Sequence, residues 1–276
     1  MKRYQILIIP GILAICVIAA VSMLLGSGEK NLASIQTEGA GWEVKQKETA
    51  SRMMEVPIIL YHDIDGKGAF SVDSATLRKH FEFFRDNNIK VVPLSDFLSR
   101  MDNPKPYDGR VLVITFDDGY KSMYTKLMPL VDEFHYPITL FVYTDNVREK
   151  AEKAITWDEL RELQAHGIDI QSHTLSHPDL LKLSAEGTAS ARSQIFREIY
   201  FSRRIIEARM GKPVGYLAFP FGRYDLDIVR CAMDAGYTRV FSTDYGSNVV
   251  TRNNYSIRRH HIKRNYTIND LAEIIK

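Results

Sequence analysis

Residues 110–120, RVLVITFDDGY, restrict the possible folds more than any other stretch of the chain. Val111, Leu112, Val113, Ile114 and Thr115 form an unbroken apolar or β-branched run. Such a run reads as a strand covered on both faces, the situation of parallel sheets flanked by helices. It ends in two adjacent carboxylates, Asp117 and Asp118, and then Gly119. Strand C-terminal ends are where α/β proteins build their sites. Asp-Gly is equally a common turn, and Asp a common helix cap. This segment alone leaves both readings open.

The remaining body repeats the strand-then-helix pattern. VPIIL at 56–60 is a short strand whose polar end is Tyr61, His62 and Asp63. Leu77, Phe81 and Phe84 have helical spacing within 75–87. A strand at 90–93 precedes a helix to 101, with Ser95 as its expected cap. A helix over 122–134 follows the Asp117 strand, and another strand covers 138–143. TWDE at 156–159 is a capping box for a helix ending at Gly167. The strand at 168–171 opens onto SHTLSHP, and a long helix over 188–210 stops at Gly211. Strands at 216–219, 237–241 and 256–262, a helix over 225–235 and a terminal helix from about 269 complete the chain. Alternation of this kind implies a parallel α/β architecture, in which the strand ends share one face and their polar clusters can converge.

The cluster at residues 172–178 decides how the paired acids read. His173 and His177 are four apart, but Pro178 disfavours helical geometry at His177. The spacing therefore predicts a strand-end loop that turns both rings toward one point. Two histidines and a carboxylate are a common ligand set for a catalytic divalent metal. Asp118 is the expected third ligand, and Asp117 remains as a base for water. His80, His135 and His166 fall on helices or at their ends and are expected to be solvated.

The N-terminus has a different grammar. Residues 6–25 carry no charge and follow Lys2 and Arg3, matching a bilayer-spanning length. The run ends in Met23-Leu24-Leu25-Gly26, a poor cleavage site. The expected organisation is a signal-anchor over 1–26, a polar linker over 27–55 and a catalytic domain over 56–276. The basic flank places the body outside the membrane as a single-pass protein, or free if the segment is cleaved. With Lys2 and Arg3 set aside, the 36 basic residues become 34 and equal the 34 acids. A neutral body gives no reason to expect nucleic acid as a partner. The two cysteines are Cys16, inside the apolar run, and Cys231, so the body has no internal disulfide.

These residues resemble a known family. Thr115-Phe116-Asp117-Asp118-Gly119 is similar to the first signature of the polysaccharide deacetylases, the NodB-homology domain of carbohydrate esterase family 4. His173-Thr174-Leu175-Ser176-His177-Pro178 is similar to the second. Ala218-Phe219-Pro220-Phe221 resembles the third, except that Ala218 stands where the family has Arg. The family's final Leu-x-His motif has no good match near the C-terminus but resembles Leu60-Tyr61-His62. That order is similar to the circularly permuted members that de-N-acetylate poly-β-1,6-N-acetylglucosamine. The resemblance covers residues 56–276, most firmly 110–276, and implies a distorted parallel (β/α) barrel, usually of seven strands.

The resemblance further implies a Zn²⁺-dependent hydrolase that removes acetyl groups from an N-acetylglucosamine polymer outside the cell. Asp118, His173 and His177 would hold the metal, with Asp117 as base and His62 as acid. The backbone N–H near Phe221 would meet the oxyanion. His62 can also be read as a strand-end histidine ordering its loop, with His260 and His261 as weaker candidates for the acid. Arg223 and Arg259 are the candidates to orient Asp117 in place of the family Arg. Asp244 is either a supporting residue or a turn former. Tyr61, Tyr120 and Phe221 are either sugar-stacking or rim residues. The competing readings are a peptidoglycan or chitin-like β-1,4 deacetylase and a non-catalytic glycan-binding relative. Whether polymer-export partners are required is left open.

Overall fold

Side-chain parity along short parallel strands decides what this domain buries and where. The computed structural model describes residues 55–103, 105–148, 154–248 and 256–276. The expected anchor, and the linker up to residue 54, lie outside the described residues. Among the described residues no helix is long and apolar enough to cross a membrane.

In chain order the elements are β1 (Ile58–Tyr61), α1 (Ser74–Asp86), β2 (Lys90–Val91), α2 (Leu94–Asp102) and β3 (Val111–Asp118). A π-helical turn (Met123–Leu127) then runs into α3 (Met128–Phe134), followed by β4 (Ile138–Val142), α4 (Trp157–Ala165) and β5 (Asp169–Ser172). Next come α5 (Leu180–Ala185), α6 (Ala189–Met210), β6 (Tyr216–Ala218) and a 3-10 turn (Pro220–Gly222). The chain ends with α7 (Leu226–Asp234), β7 (Arg239–Phe241), β8 (His260–His261) and α8 (Ile268–Ile274).

Seven strands pair in the order β7-β6-β5-β4-β3-β1-β8, and β2 adds alongside β3. All these pairings are parallel. Just before β8, Ile257 bridges in parallel to Phe241 of β7, while β8 itself pairs with Ile59 and Leu60 of β1. The last segment therefore touches both edges of the sheet and curls it into the seven-stranded (β/α) barrel that the sequence implies. Strand edges that pair leave no open ladder to solvent.

Alternate residues of β3 face opposite ways, as the period of two requires. Leu112, Ile114 and Phe116 join Ile59, Tyr61 and Leu140 in the larger core, under α1, α3, α4 and α6. Val111 and Val113 join Ile58, Phe141, Ala218, Phe241 and Ile257 in a smaller cluster. Leu94, Phe97 and Leu98 of α2 pack into this second cluster, so α2 plugs the end of the barrel opposite the carboxylates. Continuing the β3 parity inward, Thr115 bonds the Ile59 carbonyl at 3.0 Å, and Asp117 follows at the mouth.

Helix ends follow their sequence signals. Thr156 and Glu159 form both halves of the capping box, and Thr188 and Gly211 bracket α6. Ser95 does not cap: α2 already begins at Leu94, behind Pro93, with no side-chain cap. His80 is not solvated. It is buried on α1 and bonds the Tyr61 hydroxyl at 3.0 Å. His135 and His166 are exposed, as expected.

Phe97 is buried in the barrel plug, away from the polar mouth. Phe97→Ala is expected to cost about 3–5 kcal/mol of stability, read by denaturant unfolding, while metal binding by the folded variant is unchanged.

Candidate active site

The two acids of β3 reach one cleft because the strand breaks its own alternation. Asp117 keeps strand parity and points into the barrel mouth. Asp118 adopts φ 83, a left-handed conformation rare for a non-glycine residue, and Gly119 follows at φ 78. A side chain on Gly119 would meet Val142 at 3.2 Å, so the turn has little room. Both carboxylates then line the same cleft of about 740 Å³.

β5 delivers the histidines. The His173 N–H donates to the Val142 carbonyl at 2.8 Å, extending the β4–β5 ladder by one rung. Its Nδ1 lies 2.8 Å from the carbonyl oxygen of Ala218 at the end of β6. A carbonyl only accepts, so Nδ1 carries the hydrogen and Nε2 is left as a lone pair. Thr174 and His177 both have positive φ, 74 and 62, and the His177 N–H donates to Thr174 Oγ1 at 3.1 Å. Glu198 of α6 stabilises this strained loop. Its buried carboxylate accepts from the N–H of Leu175 (3.1 Å), the N–H of Ser176 (2.8 Å) and Ser176 Oγ (2.7 Å).

The expected non-helical loop is what forms, with the two imidazole centroids 4.7 Å apart. Asp118 Oδ1 is 3.5 Å from His173 Nε2 and 3.4 Å from His177 Nε2. The three ligand atoms lie within 4.8 Å of one another, and Asp118 Oδ1 is buried with no hydrogen-bond partner among the described residues. Lone pairs that converge without hydrogens between them fit a divalent cation.

Arg259 holds the second acid. It is fully buried, and its Nη1 and Nη2 donate to the two oxygens of Asp117 at 2.7 Å each. Its Nε donates to the Ser242 carbonyl at 3.1 Å, and its guanidinium lies 5.3 Å over the Phe141 ring. Of the two arginines proposed for this task, Arg223 is elsewhere, paired with Asp179.

The electrostatics separate the two acids. Burial raises the Asp117 carboxyl, but the Arg259 charge and hydrogen bonds, with His173, outweigh it and leave the group at about 2. Burial and the adjacent Asp117 charge push Asp118 up to about 7. Burial lowers His173 and His62 to about 4, against the pull of Asp117 in each case. Like-charged neighbours and desolvation are the expected causes of such divergence.

The other expected residues divide clearly. His62, Tyr120 and Phe221 line the cleft. Phe221 is 59% exposed, has φ 58 and meets His177 edge-on with centroids 4.8 Å apart. Tyr61 cannot stack on a sugar: it is buried on the helix side of β1, against Phe116 at 5.1 Å. Asp244 accepts from Tyr224 and Ser242 hydroxyls at 3.0 Å each and touches neither acid. It shapes the turn whose Ser242 carbonyl holds Arg259. His260 turns away from the cleft, edge-on to Tyr245, whereas His261 lines it.

Glu198 was not among the expected residues. Its sequence signal was a lone acid in the buried stripe Ala191, Ile195, Glu198, Ser202 of an amphipathic helix.

Comparisons with known proteins point to one family. The polysaccharide deacetylase family model matches residues 105–240. YxkH of Bacillus subtilis (strain 168), named among the polysaccharide deacetylases, is 23% identical over 205 residues, covering 74% of this chain and 70% of that protein. The poly-β-1,6-N-acetyl-D-glucosamine N-deacetylase of Staphylococcus aureus (strain MRSA252) is 23% identical over 69% of this chain and 67% of its own length. The Escherichia coli (strain K12) protein of the same name is 26% identical over 148 residues, 47% of this chain and only 22% of that protein. A Streptococcus pyogenes deacetylase solved in complex with acetate superposes with a TM-score of 0.72 at 20% identity, over 80% of this chain and 98% of that one. At that identity the likeness is one of fold.

In the metal-free protein Asp118 is protonated below about 7, while His173 is already neutral well below that pH. A metal entering at pH 6 must therefore displace a proton from Asp118. Affinity is expected to be about tenfold weaker at pH 6 than at pH 8, with close to one proton released at pH 6. Glu198→Ala, which leaves the loop N–H groups unpaired, should weaken metal binding about 10–100-fold at either pH. Metal titration calorimetry in two buffers of different ionisation heat measures both.

Proposed function

Since the chain carries the domain of the polysaccharide deacetylase family and is a deacetylase, we propose that it removes N-acetyl groups from poly-β-1,6-N-acetylglucosamine outside the cell. The observation that carries the chemistry is Asp117, held ionised by Arg259 beside the Asp118, His173 and His177 cluster at the cleft mouth. The names of the Staphylococcus aureus and Escherichia coli relatives and the early position of His62 support the β-1,6 polymer.

Asp118, His173 and His177 hold the metal, and two imidazoles with one carboxylate favour zinc. When bound, it supplies Lewis acidity toward the acetamide carbonyl and toward water. Asp117 takes a proton from the attacking water. Arg259 fixes both of its oxygens and keeps the carboxylate charged and aimed. Phe221 lines the cleft, and its backbone N–H donates to the carbonyl oxygen as that oxygen gains charge. His62 gives a proton to the leaving nitrogen, so the products are acetate and a glucosamine amine. Tyr120 and Phe221 form walls for the sugar ring. The uncharged run at residues 6–25 anchors the protein, with the enzyme on the outer side.

Acetate release by the full zinc-loaded chain on β-1,6 and on β-1,4 N-acetylglucosamine oligomers tests this reading. The expected result is faster release from the β-1,6 series, reduced about 10²–10⁴-fold in Asp117→Asn. Faster release from the β-1,4 series would reassign the substrate to peptidoglycan or chitin-like chains. No release from either, with zinc bound, would leave a glycan-binding protein. Full activity in Asp117→Asn would refute the assignment of the base.

A further inference from the structure

His62, at the end of β1, is half-buried and lines the cleft. Its Nδ1 lies 3.2 Å from Nε2 of His261, and the two rings overlap with centroids 4.4 Å apart and planes 20° apart. His261 pairs with Leu60 in the β1–β8 register, so the two histidines leave neighbouring strands at nearly the same height. Phe70, from the loop between β1 and α1, stacks on His261 at 3.8 Å with planes 16° apart. Phe70 is 41% exposed and forms part of the cleft wall. With Nδ1 engaged, Nε2 is the one ring nitrogen that His62 can turn toward a substrate.

We propose that His261 is a positioning residue for the deacetylation, its Nε2 accepting the Nδ1–H of His62 so that His62 Nε2–H faces the leaving nitrogen, with Phe70 clamping the His261 ring. This rests on the deacetylase reading with His62 as acid. Between turnovers burial keeps His62 neutral, with its hydrogen on Nδ1. It takes a proton from solvent on Nε2, and as the C–N bond breaks its electron pair goes to nitrogen, which takes that proton from the His62 imidazolium. The leaving group becomes a primary amine, and His62 becomes the neutral Nδ1–H tautomer, still bonded to His261. Burial and then the neighbouring His62 hold the His261 imidazole down to about 3, so it serves as a lone-pair acceptor and not as a second cation. An acceptor fixed on one nitrogen sets the tautomer and aim of the other.

The test uses the zinc-loaded full chain as wild type, His62→Ala, His261→Ala, His261→Gln and the His62→Ala/His261→Ala double variant. Acetate release is expected to show His261→Ala with kcat lowered about 10–100-fold, the range seen for partners that orient active groups, and with KM nearly unchanged. His261→Gln, whose amide oxygen reaches the position of Nε2, should recover most of that loss. The double variant should be no slower than His62→Ala, because a residue acting through His62 has nothing to add without it. Nitrogen-15 NMR of the ring atoms, which needs no substrate, should find His62 in one tautomer in wild type and in both in His261→Ala. A further loss in the double variant, no recovery in His261→Gln, or an unchanged His62 tautomer in His261→Ala would each overturn the positioning role. An inactive wild type overturns the deacetylase reading instead, and the tautomer measurement then decides the pairing by itself.

Discussion

The buried pair of Asp117 and Arg259 is the interaction on which the rest of the mouth depends. A carboxylate removed from water is costly unless its charge is met and its lone pairs are filled. Arg259 does both, through two 2.7 Å bonds in the fork geometry that suits a carboxylate. Its own remaining donor, Nε, is satisfied by the Ser242 carbonyl. Because Arg259 lies between the Ile257 bridge to β7 and the β8 pairing with β1, the barrel must close for Asp117 to be charged and aimed. Closure of the fold and preparation of the site are one event. Ala218 fits this arrangement: its small side chain sits in the interior cluster with Phe141, over whose ring lies the guanidinium that arrives from the segment just before β8.

Backbone strain is concentrated where the side chains must converge. Asp118, Thr174, His177 and Phe221 all have positive φ, and all lie at the cleft or in its histidine loop. Such conformations cost on the order of 1–3 kcal/mol each and persist only where surroundings over-determine them. Glu198 provides that constraint for the histidine loop, the ladder bond from His173 to Val142 anchors its start, and the Ala218 carbonyl fixes the ring of His173. The Asp118 carboxyl, pushed up by burial and by the adjacent Asp117 charge, is the counterpart in charge.

What was legible in the sequence was whatever is local. The buried strand, the adjacent acids and the His-x-x-x-His-Pro loop each lie within a few residues, and strand-helix alternation was enough to send them to one face. The parity of a four-residue strand was less secure. Tyr61 and His62 are adjacent, and only the pairing with Phe116 shows that Tyr61 belongs to the helix side. His80 was misjudged for the same reason, since its partner is that tyrosine hydroxyl. Ser95 looked like a cap because Ser caps often; the helix simply begins one residue earlier. Arg259 was visible only as one of two candidates, because a contact spanning 142 residues has no local signature. α5 is six residues long and lacked enough periodicity to be recognised.

That separation has a consequence for how the protein comes into being. Asp118 and the two histidines come from β3 and the end of β5, with only β4 between them, whereas Arg259 and His261 come much later in the sequence. Loop-closure entropy makes contacts spanning 142 and 199 residues late to form. A nascent chain can thus assemble its metal ligands while Asp117 still lacks its cation and His62 its partner.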